Sequence, residues 1–343
     1  MMTRARRHTA TRHGEGGYVL LFVTVVLTVV AVVAARLAFR IDNLRQQAMT
    51  MQSYAEASLL ADNAKARTLY WLSTRPMGLA ASGFLDEAPL MLDSRRYRTD
   101  EGAVVSLQDE RGLLSLNVPD REPFINMLTA AGATLPDAMS MVDIVEDYVD
   151  TDSLKRLNGA EAPEYRDAGL PPPRNDWILS TDELQRMPVW RSQPEVRAKV
   201  QAWLGVRRDK LFNPNTAPLD LLRAMWPKVA PEQWTLFDTL RRRAPFAEAA
   251  AATAATGIPF QGDQLLFHAS NVVRLQVWAP GLPQALEYNL LLLPTGATAP
   301  WLIHEVRQSN RLDAPPDATT STEKFPVPSQ AVAPSRTLAQ PTP

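Results

Sequence analysis

Between Tyr18 and Ala35 the chain reads YVLLFVTVVLTVVAVVAA, eighteen residues without a charge. Past Arg36 the apolar character continues to Phe39. At ~1.5 Å per residue a helix over 18–39 reaches roughly 30 Å, the thickness of a bilayer's hydrocarbon core. A core helix of a water-soluble protein would keep one polar face. Here Thr24 and Thr28 offer only hydroxyls that a helix can satisfy with its own carbonyls. The segment is expected to span a membrane, with Leu20, Leu21, Phe22, Val25 and Leu27 among its anchoring side chains.

The flanks set its direction. Arg4, Arg6, Arg7 and Arg12 stand before it against Glu15 alone, so residues 1–17 read as a basic leader that stays cytoplasmic. Three fates are open for such a leader. Ala31, Ala34 and Ala35 offer a signal-peptidase site, although secretory apolar cores are usually shorter. An uncut signal anchor is the second. The third comes from Gly16-Gly17, directly ahead of the apolar run, which resembles the processing site of type IV prepilins. That resemblance implies a prepilin peptidase cutting between Gly17 and Tyr18 and a retained membrane helix. Pilins have a glutamate five residues into the mature chain, where Phe22 stands here. A subunit without it resembles the K-type minor pseudopilin of type II secretion, which caps the filament tip and has nothing packed above it.

Composition narrows the functional classes. Cysteine is absent, which excludes disulfides and thiolate chemistry and leaves histidine and carboxylates as metal ligands. Two of the four histidines, His8 and His13, lie in the leader. Losing four arginines and one glutamate with the leader, from 36 basic and 37 acidic residues, leaves a net charge of −4. An acidic exported part argues against general nucleic-acid affinity. His268 and His304 have no catalytic context near them, and the chain reads as a non-enzyme.

The apolar stripe Ile41, Leu44, Ala48, Met51, Ala55, Leu59, Leu69, Leu72 continues the helix out of the membrane over 40–75. Pro76-Met77-Gly78 stops it. Val104–Asp109 and Leu113–Asn117 alternate around Glu110-Arg111-Gly112 and are expected to form a hairpin. Residues 121–266 have a helical pattern, with Trp177, Trp190, Trp203, Trp226 and Trp234 expected in its core. Strands are expected over 272–278, 286–293 and 301–306. The fold class is therefore α+β, an antiparallel sheet over 76–120 and 267–308 interrupted by an inserted helical domain. From 309 to 343 proline, serine, threonine and alanine dominate, and a disordered tail is expected.

This order resembles the K-type pseudopilins, general secretion pathway protein K, as do short segments in the same order. They are Leu107–Asn117, Asp147–Asp152 followed by Gly159-Ala160-Glu161, Ser180–Leu184, and Phe212-Asn213-Pro214-Asn215-Thr216-Ala217-Pro218. The resemblance implies a pilin-like fold in the inner membrane with its folded part in the periplasm. It also implies I- and J-type minor pseudopilins, the major pseudopilin and the inner-membrane assembly platform as partners. The role implied is priming and capping of the pseudopilus, at whose tip a bulky insertion avoids clashing with copies of itself.

The acidic segment is the main chemical candidate. Asp150 and Glu161 have the separation of the first and last ligands of an EF-hand, but Lys155 stands where that loop needs glycine and Leu154 where it needs an oxygen. A looser oxygen cage for calcium and a plain solvated face neutralised by Lys155 and Arg156 both remain open. Calcium binding is implied by the resemblance, with Asp150, Asp152, Glu161 and Glu164 matching the acidic pattern and Ala162 departing from it. Asn213–Pro218 followed by Leu-x-x-Leu also resembles the opening of the helix-hairpin-helix in membrane-anchored DNA-uptake receptors. Here Trp226-Pro227-Lys228 replaces the glycine turn whose N–H groups would meet phosphate. Thr216 is expected to cap the following helix. Arg241-Arg242-Arg243 either meets an anion or satisfies a helix C-terminus.

Overall fold

The computed structural model describes residues 16–84, 87–296, 298–309 and 322–327; most of the leader and of the 309–343 tail lies outside them. Helix α1, Gly16–Thr74, is continuous over 59 residues. Its sequence holds neither glycine nor proline from Tyr18 to Arg75, and Pro76 disfavours helical geometry in the residue before it.

The chain divides into two compact units after Ala57. The first is the helical segment whose apolar side chains are exposed from Val19 through Leu44. In the second, α1 buries Ala61, Ala64, Thr68, Leu69, Trp71 and Leu72. These recur every three or four residues and so share one helical face, with small alanines permitting close approach.

That face meets a six-stranded sheet. Its strands, with two short two-stranded pairs beside them, are β1 (Ala81–Ser82), β2 (Leu90–Met91), β3 (Asp93–Arg98), β4 (Val104–Asp109), β5 (Leu114–Ser115), β6 (Leu204–Gly205), β7 (Val272–Trp278), β8 (Ala285–Leu292), β9 (Trp301–Ser309) and β10 (Thr322–Lys324). The main sheet runs β10-β3-β4-β7-β8-β9 and is antiparallel except for the parallel β10–β3 pair. Val105, Leu107, Val273, Leu275, Val277 and Leu290 are buried on one face, where the Lys65 ammonium of α1 lies 5.1 Å from the Tyr288 ring centre. The opposite face is polar, with Ser106, Gln108, Arg274, Gln276 and Glu287. This split follows from period-2 alternation in β4 and β7.

Between β4 and β7 the chain builds a helical body. Its helices are α2 (Arg121–Ala130), α3 (Leu135–Val149), α4 (Ala162–Asp167), α5 (Pro188–Ser192), α6 (Pro194–Val200), α7 (Leu219–Met225), α8 (Pro231–Arg243) and α9 (Ala249–Thr256). They enclose a separate apolar core that includes Phe124, Met141, Trp190, Leu222, Trp234 and Phe237. Edge-to-face and tilted contacts at 5.1–6.2 Å join Trp226, Trp234, Phe237 and Phe260. The body sits on the polar face of the sheet. Arg274 is bonded there by Glu110 at 2.6 Å and donates to the Leu204 carbonyl at 2.7 Å.

Three expectations change. The hairpin over 104–117 does not form, because β4 already has β3 and β7 on its two sides. Glu110–Gly112 coils into a 3-10 turn, and Leu114–Ser115 pairs in parallel with Leu204–Gly205. Trp177 is 37 % exposed, with the Arg208 guanidinium 5.3 Å from its ring centre, and does not belong to the core. The tail is ordered at 322–327, where β10 joins the sheet and Phe325 is buried.

Candidate functional site

The acidic segment links α3 to α4. Helix α3 ends where Asp150 donates its N–H to the Glu146 carbonyl, and α4 begins at Glu161, whose N–H is accepted by the Glu164 carboxylate at 2.9 Å. Asp147, on the last turn of α3, is fully buried. It accepts from the Arg156 backbone N–H at 3.2 Å and from the Arg156 guanidinium at 2.7 Å. The same guanidinium reaches Asp150 at 2.6 Å and Glu146 at 3.0 Å. Lys155 pairs with Glu164 at 2.7 Å, and the exposed Asp152 accepts from the Leu154 N–H at 2.7 Å. A Cβ at Gly159 would overlap the Asp147 carboxylate, so only glycine lets the loop pass over it.

The electrostatics are unbalanced at two oxygens. Asp150 Oδ1 and Glu161 Oε1 are buried without a hydrogen-bond partner. Burial, followed by repulsion from Asp147, Asp150, Asp152 and Glu164, pushes the Glu161 carboxyl above the usual range. Burial also raises Asp147, against the bonds from Arg156. Glu164 is the opposite case, held down to about 2 by Lys155 and then by the Glu161 N–H. The unsatisfied oxygens and their excess negative charge fit a hard cation. Among the described residues, however, no three carboxylates or histidines are gathered as a metal cage, and Arg156 stands where Glu146, Asp147 and Asp150 converge. Of the four residues singled out from sequence, Asp150 and Glu161 have a free oxygen, Glu164 is engaged through both, and Asp152 faces solvent. Asp147 and Arg156 were not among them. The spacing of Asp147, three residues before Asp150 on one helical face, was the available signal.

Gly17 and Tyr18 lie in the first turn of α1, and Tyr18 is 85 % exposed. Leu20, Leu21, Phe22, Val25 and Leu27 are all more than half exposed. Among the described residues nothing covers this apolar window, and its length and composition fit a single-pass membrane anchor.

The Asn213–Pro218 segment is a buried bracket. Thr216 donates to the Asp109 carboxylate at 2.9 Å rather than capping a helix; the residue before α7 is Pro218. Asn213 donates to the Leu79 carbonyl at 3.0 Å, and Asn215 exchanges two bonds with the Phe246 backbone. Asp109 also accepts from the Ser270 N–H at 2.9 Å and hydroxyl at 2.6 Å. One carboxylate therefore fastens the end of β4, the helical body and the return to β7. Arg241 is buried and spends its guanidinium on the carbonyls of Pro214 and Ala217, both at 2.7 Å, and on Asp238. Arg242 is bonded to Asp238 as well. Arg241 is therefore not free for phosphate, whereas Arg242 is bonded through Nε alone and its side chain is 57 % exposed.

Residues 104–207, from the start of β4 through the acidic loop to the strand beneath Arg274, match the family model described as "Type II secretion system (T2SS), protein K". This segment is similar to the T2SS protein K family. It contains all four acidic residues singled out above, together with Asp109, Asp147 and Arg156. A chain in the crystal structure of the GspK-GspI-GspJ complex of the enterotoxigenic Escherichia coli type 2 secretion system aligns over 79 % of this chain and 99 % of its own length. Its identity is 13 % and the TM-score 0.49. No curated protein matches the chain.

Proposed function

We propose that this chain is a K-type minor pseudopilin that primes and caps a type II secretion pseudopilus. The observation that supports it most is the protein K segment over 104–207, on a chain whose α1 bears an exposed apolar half. In this reading prepilin peptidase cuts between Gly17 and Tyr18, the helix stays in the inner membrane, and the body lies in the periplasm. I- and J-type minor pseudopilins bind beside it, the major pseudopilin follows, and the inner-membrane platform drives extension. The work is mechanical, not catalytic. Deleting the gene in its host should abolish secretion into the medium and lower pseudopilus number. Co-expression should bring the I- and J-type subunits down with this chain. Normal secretion without it, or no co-purification of either subunit, contradicts the role.

The commitment of Asn213–Pro218 and Arg241 to internal bonds weighs against the DNA-uptake alternative.

Calcium belongs to the same proposal. Asp150 and Glu161 would hold it through their unpaired oxygens, with Asp152 within the same loop, and it would supply the charge that the Glu161 surroundings lack. Thermal denaturation in millimolar calcium against chelator should show stabilisation that disappears in Glu161→Ala. Equal melting in both conditions would leave the neutralisation of the loop to its own arginines and lysine, Arg121, Arg156 and Lys155.

A further inference from the structure

The edge strand β3 reads Asp93-Ser94-Arg95-Arg96-Tyr97-Arg98. In this chain its open side is occupied by β10, which pairs in parallel over three residues, Thr322 with Arg96, Glu323 with Tyr97 and Lys324 with Arg98. The Phe325 N–H donates to the Arg98 carbonyl at 2.8 Å. Phe325 is buried edge-on against Trp71, with ring centres 6.2 Å apart. The Arg75 guanidinium lies 3.9 Å from the centre of the Trp71 ring.

The backbone ladder and the aromatic socket are well matched, but the charges are not. Glu323 bonds Arg95 at 2.9 Å and is the one carboxylate that β10 brings to three arginines. Lys324 stands opposite Arg98, where like charges on neighbouring strands repel. Its ammonium turns out to Asp100 at 3.1 Å, with the lysine side chain 72 % exposed. An exposed pair of that kind contributes little. Among the described residues Arg96 and Arg98 form no ion pair with a carboxylate. Nor does chain connectivity clamp the strand. Residues 310–321 separate β9 from β10, a contour of about 40 Å. The distance between the opposite edges of the sheet is about 24 Å.

We propose that the β3 edge is an acceptor site for an extended acidic segment of another protein, anchored by an aromatic side chain against Trp71, and that β10 is its displaceable resident. Main-chain bonds to β3 supply affinity, the socket at Trp71 fixes register, and Arg96 and Arg98 select carboxylates over the lysine that β10 offers. Removing β10 without replacement would leave a bare sheet edge, so the resident strand also guards against unspecific pairing.

The test uses the full chain in detergent and a fluorescein-labelled peptide of residues 321–327 with glutamate in place of Lys324. Phe325→Ala in the protein should loosen the resident strand and tighten peptide binding at least tenfold over wild type. Lys324→Glu should hold the strand in place and weaken it several-fold below wild type, which keeps the test valid if Phe325→Ala folds poorly. The peptide with alanine in place of its phenylalanine should lose at least tenfold, as should the peptide with lysine at 324 in low salt. Equal affinity for all three proteins, or no preference for the acidic peptide, overturns the proposal. So does a wild-type dimer that exchanges strands between copies, since the occupant would then be this chain itself. None of these readouts depends on a role in secretion.

Discussion

At the scale of single residues, stability concentrates in buried charges with several partners. Asp109 is fully buried and satisfies donors that lie 104, 107 and 161 residues further along the chain. Asp109→Ala strands those donors together and should cost about 3 kcal/mol or more. Urea denaturation of the chain in detergent, followed by tryptophan fluorescence, checks this; a loss under about 1 kcal/mol contradicts the bracket. Glu287 is a second case. Burial alone would raise its carboxyl, but Arg274 and then Arg307 outweigh burial and hold it below the usual range. A carboxyl depressed in the folded state contributes stability above its unfolded value and loses it as pH falls through the folded value. Glu287→Gln should therefore cost about 3 kcal/mol at pH 7. The gap from wild type should narrow as pH falls below about 4, and a pH-independent gap would remove the electrostatic account. Neither residue was legible as a hub from sequence, because those Asp109 donors lie more than a hundred residues away and the Glu287 partners are set by strand register on both sides.

At the scale of elements, what sequence shows depends on how local the cause is. The strands at 272–278 and 285–292 announce themselves through period-2 alternation, and α1 through an apolar stripe without glycine or proline. The 104–117 hairpin misled because two alternating stretches around a glycine look alike whether they pair with each other or elsewhere. β10 has three residues and no alternation to read; its place comes from Phe325 and Trp71, 254 positions apart in sequence. The acidic loop was visible as a cluster with Arg156 as a possible counter-charge, but the burial of Asp147 and its pairing with Arg156 were not. Two predictions belong to this element. Gly159→Ala forces a methyl into the Asp147 carboxylate and should destabilise by about 2 kcal/mol, read by thermal melting. Arg156→Ala should lower stability in chelator while enlarging the stabilisation proposed for calcium, since the guanidinium shares the carboxylates a cation would meet. A variant whose calcium response shrinks would show that Arg156 builds the site instead of competing for it.

At the scale of the whole molecule, the α+β class was legible because each level agrees with the next. An uncovered apolar helix precedes a sheet, the sheet is interrupted by a separately cored helical body, and 104–207 matches protein K. The leader is the part that decides whether this architecture works as a filament subunit or as a tethered receptor, and it is a matter of covalent chemistry more than of folding. Mass spectrometry of the mature N-terminus, from cells with and without prepilin peptidase, tests this most directly. The account predicts a chain beginning at Tyr18 only when the peptidase is present. An intact leader in both strains, or a cut after Ala35 that removes the helix, would contradict it.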